Sequence, residues 1–560
     1  MNLRILLAFV LLFAVAWTVS STVFAQGNQD SCVLFQPDRV SEITLRFTAD
    51  EWAKLQPSED LDWDVGRAFG EVISDASQGK EFRAGEENRP GLGGYLGLNH
   101  QYGKADLIID GEQISDVGAR FKGNGSFLSG RELEKYSFKI DFNEYQDDLS
   151  FAGLKKVNLQ SCAADPTLLR EAISYELFRE AGVPASLTGW ASVATDVDGE
   201  VKPCGLFLVV EQVDKQFLKR VFGESDGLLV KPSAFTAFPY LGDDWSAYES
   251  FYNPKTESSP EQQRRLMEFA QLIHLSNQAE FEARVGEYLD VESFLSFLAV
   301  NAMLSNLDSF LGGSQNYYAY LSPETDKISL IPWDLDHSFG SLEIIGTPES
   351  RLHHSIKQPQ IGVGNNRLIE RLLKMPAVKQ AYLSRVDKLL DSVFAKQKWL
   401  DQIEATAEVV RPRLDDEASL RMKAAISGDD AAWKRYSLEQ FVRARHDSIQ
   451  DQLAGRSEGQ TNQFNQGLDS KVVLRIAGWA LAIVFAGFLN LIACIWSSVA
   501  GFRLSSKWGL LNLFIYPLLP LVFGFLISRK LGLRSAVMTL LCVLLMIGFF
   551  VPFIQSIKAL

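Results

Sequence analysis

Three apolar runs near the C-terminus, Val472 to Ala500, Trp508 to Ser528 and about Ala536 to Ile554, constrain this chain most. Each is long enough to span the ~30 Å of bilayer hydrocarbon as a helix, which satisfies its own backbone polar groups where water is absent. They predict three transmembrane helices over 471–560. At the other end, a lone Arg4, an apolar run from Ile5 to Trp17 and Val23-Phe-Ala25 before Gln26 have the form of a signal peptide with a small-x-small cleavage site, residues 1–25. An uncleaved signal anchor is the alternative, and it too leaves the body outside. The expected location is therefore a multi-pass protein of the cytoplasmic membrane with its large domain extracytoplasmic. Charges beside the spans oppose this mildly, with Lys471, Arg475, Arg529, Lys530 and Arg534 outside against Arg503, Lys507 and Lys558 inside. The export signal outweighs that bias.

The globular body is thus confined to residues 26–454, joined to the membrane by a Gly- and Gln-rich stretch, 455–470, expected to be a flexible linker. A formal net charge of −14 over 560 residues argues against a nucleic-acid partner, which would require a basic face. Cys494 and Cys542 fall in the predicted spans, leaving Cys32, Cys162 and Cys204 in the body. In an oxidising compartment Cys162–Cys204 is the favoured disulfide, with one thiol left over. No cysteine pair has metal-ligand spacing.

Residues 26–105 combine N-terminal strands with an acidic, Gly-rich loop insertion, Pro57 to Tyr102. From 105 to 240 strand-like and helix-like patterns alternate. Strands are expected at 105–109, 118–122, 136–142, 192–197 and 206–211, and a helix from Pro166 to Ala181 with Asp165 as N-cap. From Pro260 the pattern turns helical, near 260–276, 278–287, 291–305, 366–375, 376–394, 397–411 and 431–453. The fold class read from this order is α+β.

The helical part is interrupted by Asn306-Leu-Asp308 and, from Asn316, by the runs Tyr317 to Leu321 and Lys327 to Ile331, followed by Pro332-Trp-Asp334-Leu-Asp336. The two runs read as a hairpin that brings Asp308, Asn316 and Asp334 together. Carboxylates and an amide are hard oxygen donors suited to Mg²⁺, and a further carboxylate can orient a substrate hydroxyl. Alone, such a pair of acids equally describes a calcium site or a loop cap.

These residues, with Asp110-Gly, Val117-Gly-Ala-Arg-Phe-Lys-Gly-Asn-Gly-Ser126, Tyr136-Ser-Phe-Lys-Ile-Asp-Phe142, Leu169-Arg-Glu-Ala and Gly205-Leu-Phe-Leu-Val-Val-Glu-Gln-Val-Asp214, occur in the order seen in the CotH kinase family, which the chain resembles over roughly residues 40–450. The resemblance implies a bilobal protein-kinase-like fold over 106–454, with a β-rich small lobe and a helical large lobe. It also implies an ATP- and Mg²⁺-dependent transfer of phosphoryl to Ser, Thr or Tyr of an exported or envelope protein.

By the same resemblance, Lys139 meets nucleotide phosphates and pairs with a glutamate of the next helix, Glu176 being preferred over Glu171. Lys122, in Phe121-Lys-Gly-Asn-Gly-Ser-Phe127, covers the phosphates, unless that turn is only a tight hairpin. Glu211 lies beside the base. Asp308 takes the hydroxyl proton, although the spacing to Asn316 departs from the usual kinase loop. Asn316, Asp334 and Asp336 hold the metal. Lys231 resembles a family lysine without an assigned role. His337, His353, His354 and His446 read as solvated, and Trp63, Trp190, Trp245 and Trp333 as packing anchors. Scarcity of ATP outside the cytoplasm motivates two other readings, a kinase-like adhesion module without catalysis and a sensory component of a membrane complex.

Overall fold

Alternating apolar residues in the first half of the chain close a barrel. The computed structural model describes residues 33–57, 89–463 apart from 133, 233–236, 362–365 and 429–435, residues 470–514, and scattered residues of 67–84 and 518–549. Its barrel strands are β1 (Val40–Phe47), β2 (Gly103–Ile109), β3 (Glu112–Phe121), β4 (Phe138–Asp141), β5 (Lys156–Gln160), β6 (Thr188–Val197) and β7 (Glu200–Glu211), joined in the order β1-β2-β3-β4-β5-β7-β6. Strand β6 closes on β1 in parallel, while all other neighbours are antiparallel. The inward set Leu45, Leu107, Phe121, Phe138, Leu159 and Phe207 fills the interior. Because side chains alternate between faces, Trp190, Leu206, Leu208 and Val210 point outward and enter a second core.

That second core is helical. It gathers α1 (Arg170–Glu180), α2 (Lys215–Phe222), α3 (Pro260–Leu275), α4 (Gln278–Tyr288), α5 (Val291–Met303), α6 (Arg367–Lys374), α7 (Pro376–Asp391), α8 (Lys396–Val410), α9 (Asp416–Ser427) and α10 (Leu438–Leu453). Polar side chains start these helices: capping boxes at Ser259 and Ser437 satisfy the orphan N–H groups of α3 and α10, and Asp214 does so for α2. A small sheet of β8 (Leu228–Val230), β9 (Tyr317–Leu321) and β10 (Ile328–Pro332) forms within this core, with Tyr317 opposite Pro332.

Several expectations need correction. Strand β1 falls in the N-terminal region where strands were expected, but strand β5 and helix α9 were not anticipated. Helix α1 begins at Arg170, not Pro166, because Leu168 adopts φ +63°, which no helix accommodates. Asp165 instead holds the preceding turn, accepting from Thr167 N, Thr167 Oγ1 and Arg170 N at 2.9, 2.7 and 2.9 Å. The stretch after α10 is no loose tether at its start. Gln460 donates to His353 O at 2.7 Å and Ser355 N to Gln460 O at 2.9 Å, and Asn462, 1% exposed, bonds Ser350 and His354. Cys162 and Cys204 are free thiols, not a disulfide; the Cys162 thiol donates to Gln160 O. Cys32 and Trp63 lie outside the described residues, as does the leader.

The chain divides into two units, 1–464 and 465–560. In the second, α11 (Ser470–Phe502) is followed by α12 (Ser506–Phe514), and Asn512 Nδ2 donates to Ser497 O at 3.0 Å. Among the described residues one helix, Leu481–Phe502 with mean hydropathy 2.0, is long and apolar enough to cross a membrane. The expected second and third spans fall partly outside the described residues.

Candidate functional site

Three neighbouring barrel strands turn a polar row toward the helices. The register pairs Arg120 of β3 with Lys139 of β4, and Lys139 with Asn158 of β5, so these residues share the outer face. One pleat further along, Lys122 Nζ donates to Gln160 Oε1 at 2.9 Å and Gln160 Nε2 donates to Glu171 Oε1 of α1 at 3.3 Å. The lysine and glutamate are thus linked through a buried amide. Burial pulls the Lys122 amine down to about 8, against the opposing pull of Asp334 and Glu171. Burial, then repulsion from Asp334 and Asp336, drives the Glu171 carboxyl well above its usual range.

The opposing acids arrive on a loop and a hairpin. Helix α5 ends at Met303, and Ser305 turns to φ +46°, starting the loop that carries Asp308. Gly312 is required there, since a Cβ would stand 1.9 Å from Leu307 O. Asn316 Nδ2 donates to Asp308 O at 2.7 Å and Gln315 Nε2 donates to the Asp308 carboxylate. Trp333 N donates to Asn316 O at 3.0 Å across the start of the hairpin, which sets Asp334 beside Asn316. The amide nitrogen of Asp334 in turn donates to Tyr175 OH of α1 at 3.2 Å. Glu171 and Tyr175, four residues apart, lie on one face of α1 and bind the two halves of the site together.

Backbone strain collects here: Ser305, Ser314, Asn316 and Asp334 hold φ of +46°, +47°, +56° and +57°. Non-glycine residues keep such conformations only where surrounding contacts enforce them. Electrostatics is also unbalanced. Burial raises the Asp336 carboxyl to about 6, with Asp334 and Asp308 adding repulsion and His337 opposing it. Asp308 is raised by burial as well, again countered by His337. Lys139, half-buried, makes no hydrogen bond or ion pair among the described residues; burial and the charges of Arg120, Lys156, Lys122 and Lys231 lower it to about 7.

The structure thus brings together Lys122, Lys139, Asp308, Asn316, Asp334 and Asp336, and leaves two expected residues elsewhere. Glu176 is displaced by helical phase, one residue past Tyr175 and in the field of Arg179. Glu211 pairs with Val157, which puts it on the opposite face from Lys139 and Asn158. There it accepts from Arg220 Nε at 2.9 Å and Leu187 N at 2.9 Å, a structural pairing. The turn Gly123–Gly125 leads into the short helix Gly125–Glu132 rather than closing a tight hairpin.

Sequence reasoning missed Gln160 and Tyr175, and read as merely solvated a His337 whose charge acts on Asp308 and Asp336. Gln160 was legible only through the unread strand β5, and Tyr175 through its i+4 spacing from Glu171. His354 and His446 are buried, not solvated. The Trp333 ring lies under two cations, Lys122 at 5.4 Å and Lys231 at 5.2 Å, so it does more than pack. Among the described residues no three His, Cys, Asp or Glu side chains converge as a ready cation cage. A groove of about 740 Å³ lined by Gln36, Gln113, Gln146 and Phe151 opens elsewhere on the barrel and shares no residue with this cluster.

The family described as CotH kinase protein matches residues 119–449, which covers the whole cluster. The inner spore coat protein H of Bacillus subtilis (strain 168) is 27% identical over 286 residues, 50% of this chain and 74% of that protein. Two proteins of Rhizopus delemar, a spore coat protein homolog 1 and an invasin CotH7, are 23% and 22% identical, each over 46% of this chain. The chain spans 42% and 43% of their lengths. A solved Shewanella oneidensis MR-1 complex of the toxin–antitoxin proteins HipA and HipB with operator DNA is 12% identical, with 57% of this chain and 64% of that chain covered at a TM-score of 0.26.

Proposed function

The chain belongs to the CotH kinase protein family, and on that footing we propose that it is an atypical protein kinase that transfers the γ-phosphoryl of ATP to a hydroxyl of an exported or envelope protein. The observation that carries this reading is the meeting of the Lys122–Gln160–Glu171 relay with the Asp334 hairpin and the Asp308 loop. The barrel then serves as the small lobe and the helices as the large lobe of a kinase-like arrangement. Lys122 and Lys139 bind phosphate oxygens. Asn316 Oδ1, Asp334 and Asp336 hold Mg²⁺.

The donor set fits that ion, because magnesium keeps several waters and takes one or two carboxylates plus phosphate oxygens rather than a protein cage. When bound, the ion neutralises charge on the phosphates and on the leaving oxygen. Asp308 orients the acceptor hydroxyl and takes its proton as the new P–O bond forms and the β–γ bridging P–O bond breaks, releasing ADP. Its raised affinity for protons suits that task. Glu171 and Gln160 hold Lys122 in place, and Tyr175 fixes the Asp334 backbone.

The export signal, the three apolar runs and the spore-coat relatives support a membrane-tethered protein with its body outside the cytoplasm, anchored by the C-terminal helices. The test is the full chain in detergent with Mg²⁺ and ATP labelled separately at the γ- and α-phosphates, beside Asp334→Ala. Entry of γ-label into protein, lost in the variant, is the expected result. Entry of α-label instead means nucleotidyl transfer by the same residues. With neither label transferred and no ATP bound, the enzyme reading is wrong and the body is a binding module.

A further inference from the structure

The matched family region stops at residue 449 and α10 ends at Leu453, yet the chain goes on to fasten itself to the loops that support the site. Asp451 O accepts from Arg456 N and Ser457 N at 2.8 and 3.2 Å, which reverses the chain. Gly459 then passes so close, at φ +71°, that a Cβ there would stand 2.5 Å from Gln452 Oε1 and 2.7 Å from Ser355 Cα. Beyond it Gln460 pairs with His354 in a parallel bridge, and Gly346 N donates to Gln463 O at 3.0 Å. Asn462 sits between these two points, 1% exposed. Its Nδ2 donates to Ser350 O at 3.0 Å and to His354 Nδ1 at 3.1 Å, and its Oδ1 accepts from Ser350 Oγ at 2.7 Å. His354 Nδ1 accepts here because Nε2 carries the proton donated to Pro359 O at 2.9 Å, and burial pulls the ring down to about 3, which keeps it neutral. Both N–H groups and the oxygen of the Asn462 amide are thereby engaged.

What Asn462 clamps is the turn that carries Arg351. Ser350 lies one residue before Arg351 in the short helix Pro348–Leu352, and His354 lies just past its end. Arg351, 2% exposed, donates to Gly340 O, Ile345 O and Gly346 O at 2.7, 2.9 and 3.0 Å, so it fixes the segment that leaves Asp334 and Asp336. Its own carbonyl accepts from Ser305 Oγ at 2.7 Å, and Ser305 opens the loop to Asp308. Gly346 admits no side chain, since a Cβ would lie 2.1 Å from Asn462 Oδ1. A strap that only finished α10 would bond α10, whereas this one also bonds the element that joins the two acid-bearing loops.

We propose that Asn462 is a positioning residue for the metal site: by holding Ser350 and His354 it sets Arg351, and through Arg351 the places of Asp336 and Asp308. The proposal rests on the kinase reading and extends the working unit past the matched family region to the strap 456–463. Among the described residues Asn462 bonds none of the cluster itself, so its effect runs through the two loops. Loss of the outer partners that orient metal ligands lowers affinity or rate about 10–100-fold.

The test is Asn462→Asp in the full chain in detergent. The side chain keeps its shape, but lone pairs face Ser350 O and His354 Nδ1 where two N–H groups stood. Mn²⁺, which suits the same oxygen donors, is the metal probe, and its Kd read by electron paramagnetic resonance is expected to rise about tenfold. At saturating Mg²⁺ kcat is expected to fall about tenfold while the KM for ATP stays within about twofold, because Lys122 and Lys139 stand on barrel strands that the strap does not bond. A Mn²⁺ Kd unchanged within about twofold overturns the proposal, and so does a KM for ATP that rises as much as kcat falls. If the unmodified chain transfers no phosphoryl, the kinase reading fails on its own and the Mn²⁺ Kd alone decides: weaker binding in the variant supports the positioning role, and equal binding, or none by the unmodified chain, overturns it. If the variant does not fold, hydrogen exchange in the unmodified chain takes its place. Coupling between two sites is reciprocal, so saturating Mn²⁺ is expected to slow exchange over residues 346–355 and 459–463 about fivefold or more, and no slowing there overturns the proposal.

Discussion

The helical half and the cleft bury the same kind of charge and treat it in opposite ways. Arg445, 0% exposed, donates to Ala302 O, Met303 O, Leu352 O and His354 O at 2.7, 3.1, 3.0 and 2.6 Å. Arg371 likewise reaches Leu272 O, Ile273 O and Asn277 O, and Arg351 reaches Gly340 O, Ile345 O and Gly346 O. Among the described residues Lys139 and Lys231, in the cleft, have no such acceptors. A buried cation saturated by carbonyls has nothing left for a ligand, whereas an unsaturated one bears its desolvation cost until an anion arrives. The first kind holds the molecule together and the second binds.

The comparison breaks most visibly at Arg445. Two of its acceptors are the last carbonyls of α5, just before the Asp308 loop, and two belong to the segment after Arg351, so one side chain ties the site's supporting elements together. Arg445→Leu is expected to cost ~3–5 kcal/mol, since four main-chain carbonyls lose a charged donor at once. Urea unfolding of the full chain in detergent checks this, and a loss below ~1 kcal/mol would show that the arginine network is dispensable.

Lys139 sharpens the contrast because its removal acts with the opposite sign. Its amine sits at about 7 in the folded chain against 10.5 ordinarily. Between these values the unfolded chain holds more protons, so stability rises with pH across that window. Lys139→Met removes the slope and is expected to raise Tm by a few degrees at pH 7. Function moves the other way. The charged amine that meets phosphate fades as pH rises through about 7, so kcat/KM for ATP in the native chain falls above that pH. Lys139→Met is about tenfold lower below it and flat across it. A Tm that drops in the variant would place Lys139 among the structural cations.

How much of this was legible follows from which distances in sequence each feature spans. The hairpin formed over Tyr317–Leu321 and Ile328–Pro332 against an expected 317–321 and 327–331, because aromatic and β-branched residues with a Ser-Pro-Glu-Thr-Asp turn between them are a local signal. Asp308, Asn316 and Asp334 came with it. Barrel closure was not legible: β1 pairs with β6 in parallel across about 150 residues, and no local pattern reports such a partner. Missing β5 had a direct consequence at Glu211. Its parity within β7 was plain, yet which parity faces the cleft is decided by pairing with Asn158 and Val157. The burial of His354 depends on Asn462 returning from beyond α10, again a long-range contact.

The smallest expected effect tests a difference of five residues on one helix. Glu171 and Glu176 are equally plausible partners for a lysine when only a helix is known, and the four-residue error in its start left their phase undetermined. With α1 in place, Glu171 is 3% exposed and bound to Gln160, and Glu176 faces away beside Arg179. Glu176→Gln should therefore leave stability within about 0.5 kcal/mol and activity unchanged, as for an ordinary surface position. Glu171→Gln keeps the shape but removes the charge opposite Lys122, which should weaken ATP binding about tenfold without unfolding the chain. Equal losses in both variants would mean that helix phase does not decide the pairing; a loss only in Glu171→Gln ties the lysine–glutamate function to the buried relay, where an amide stands between the two charges.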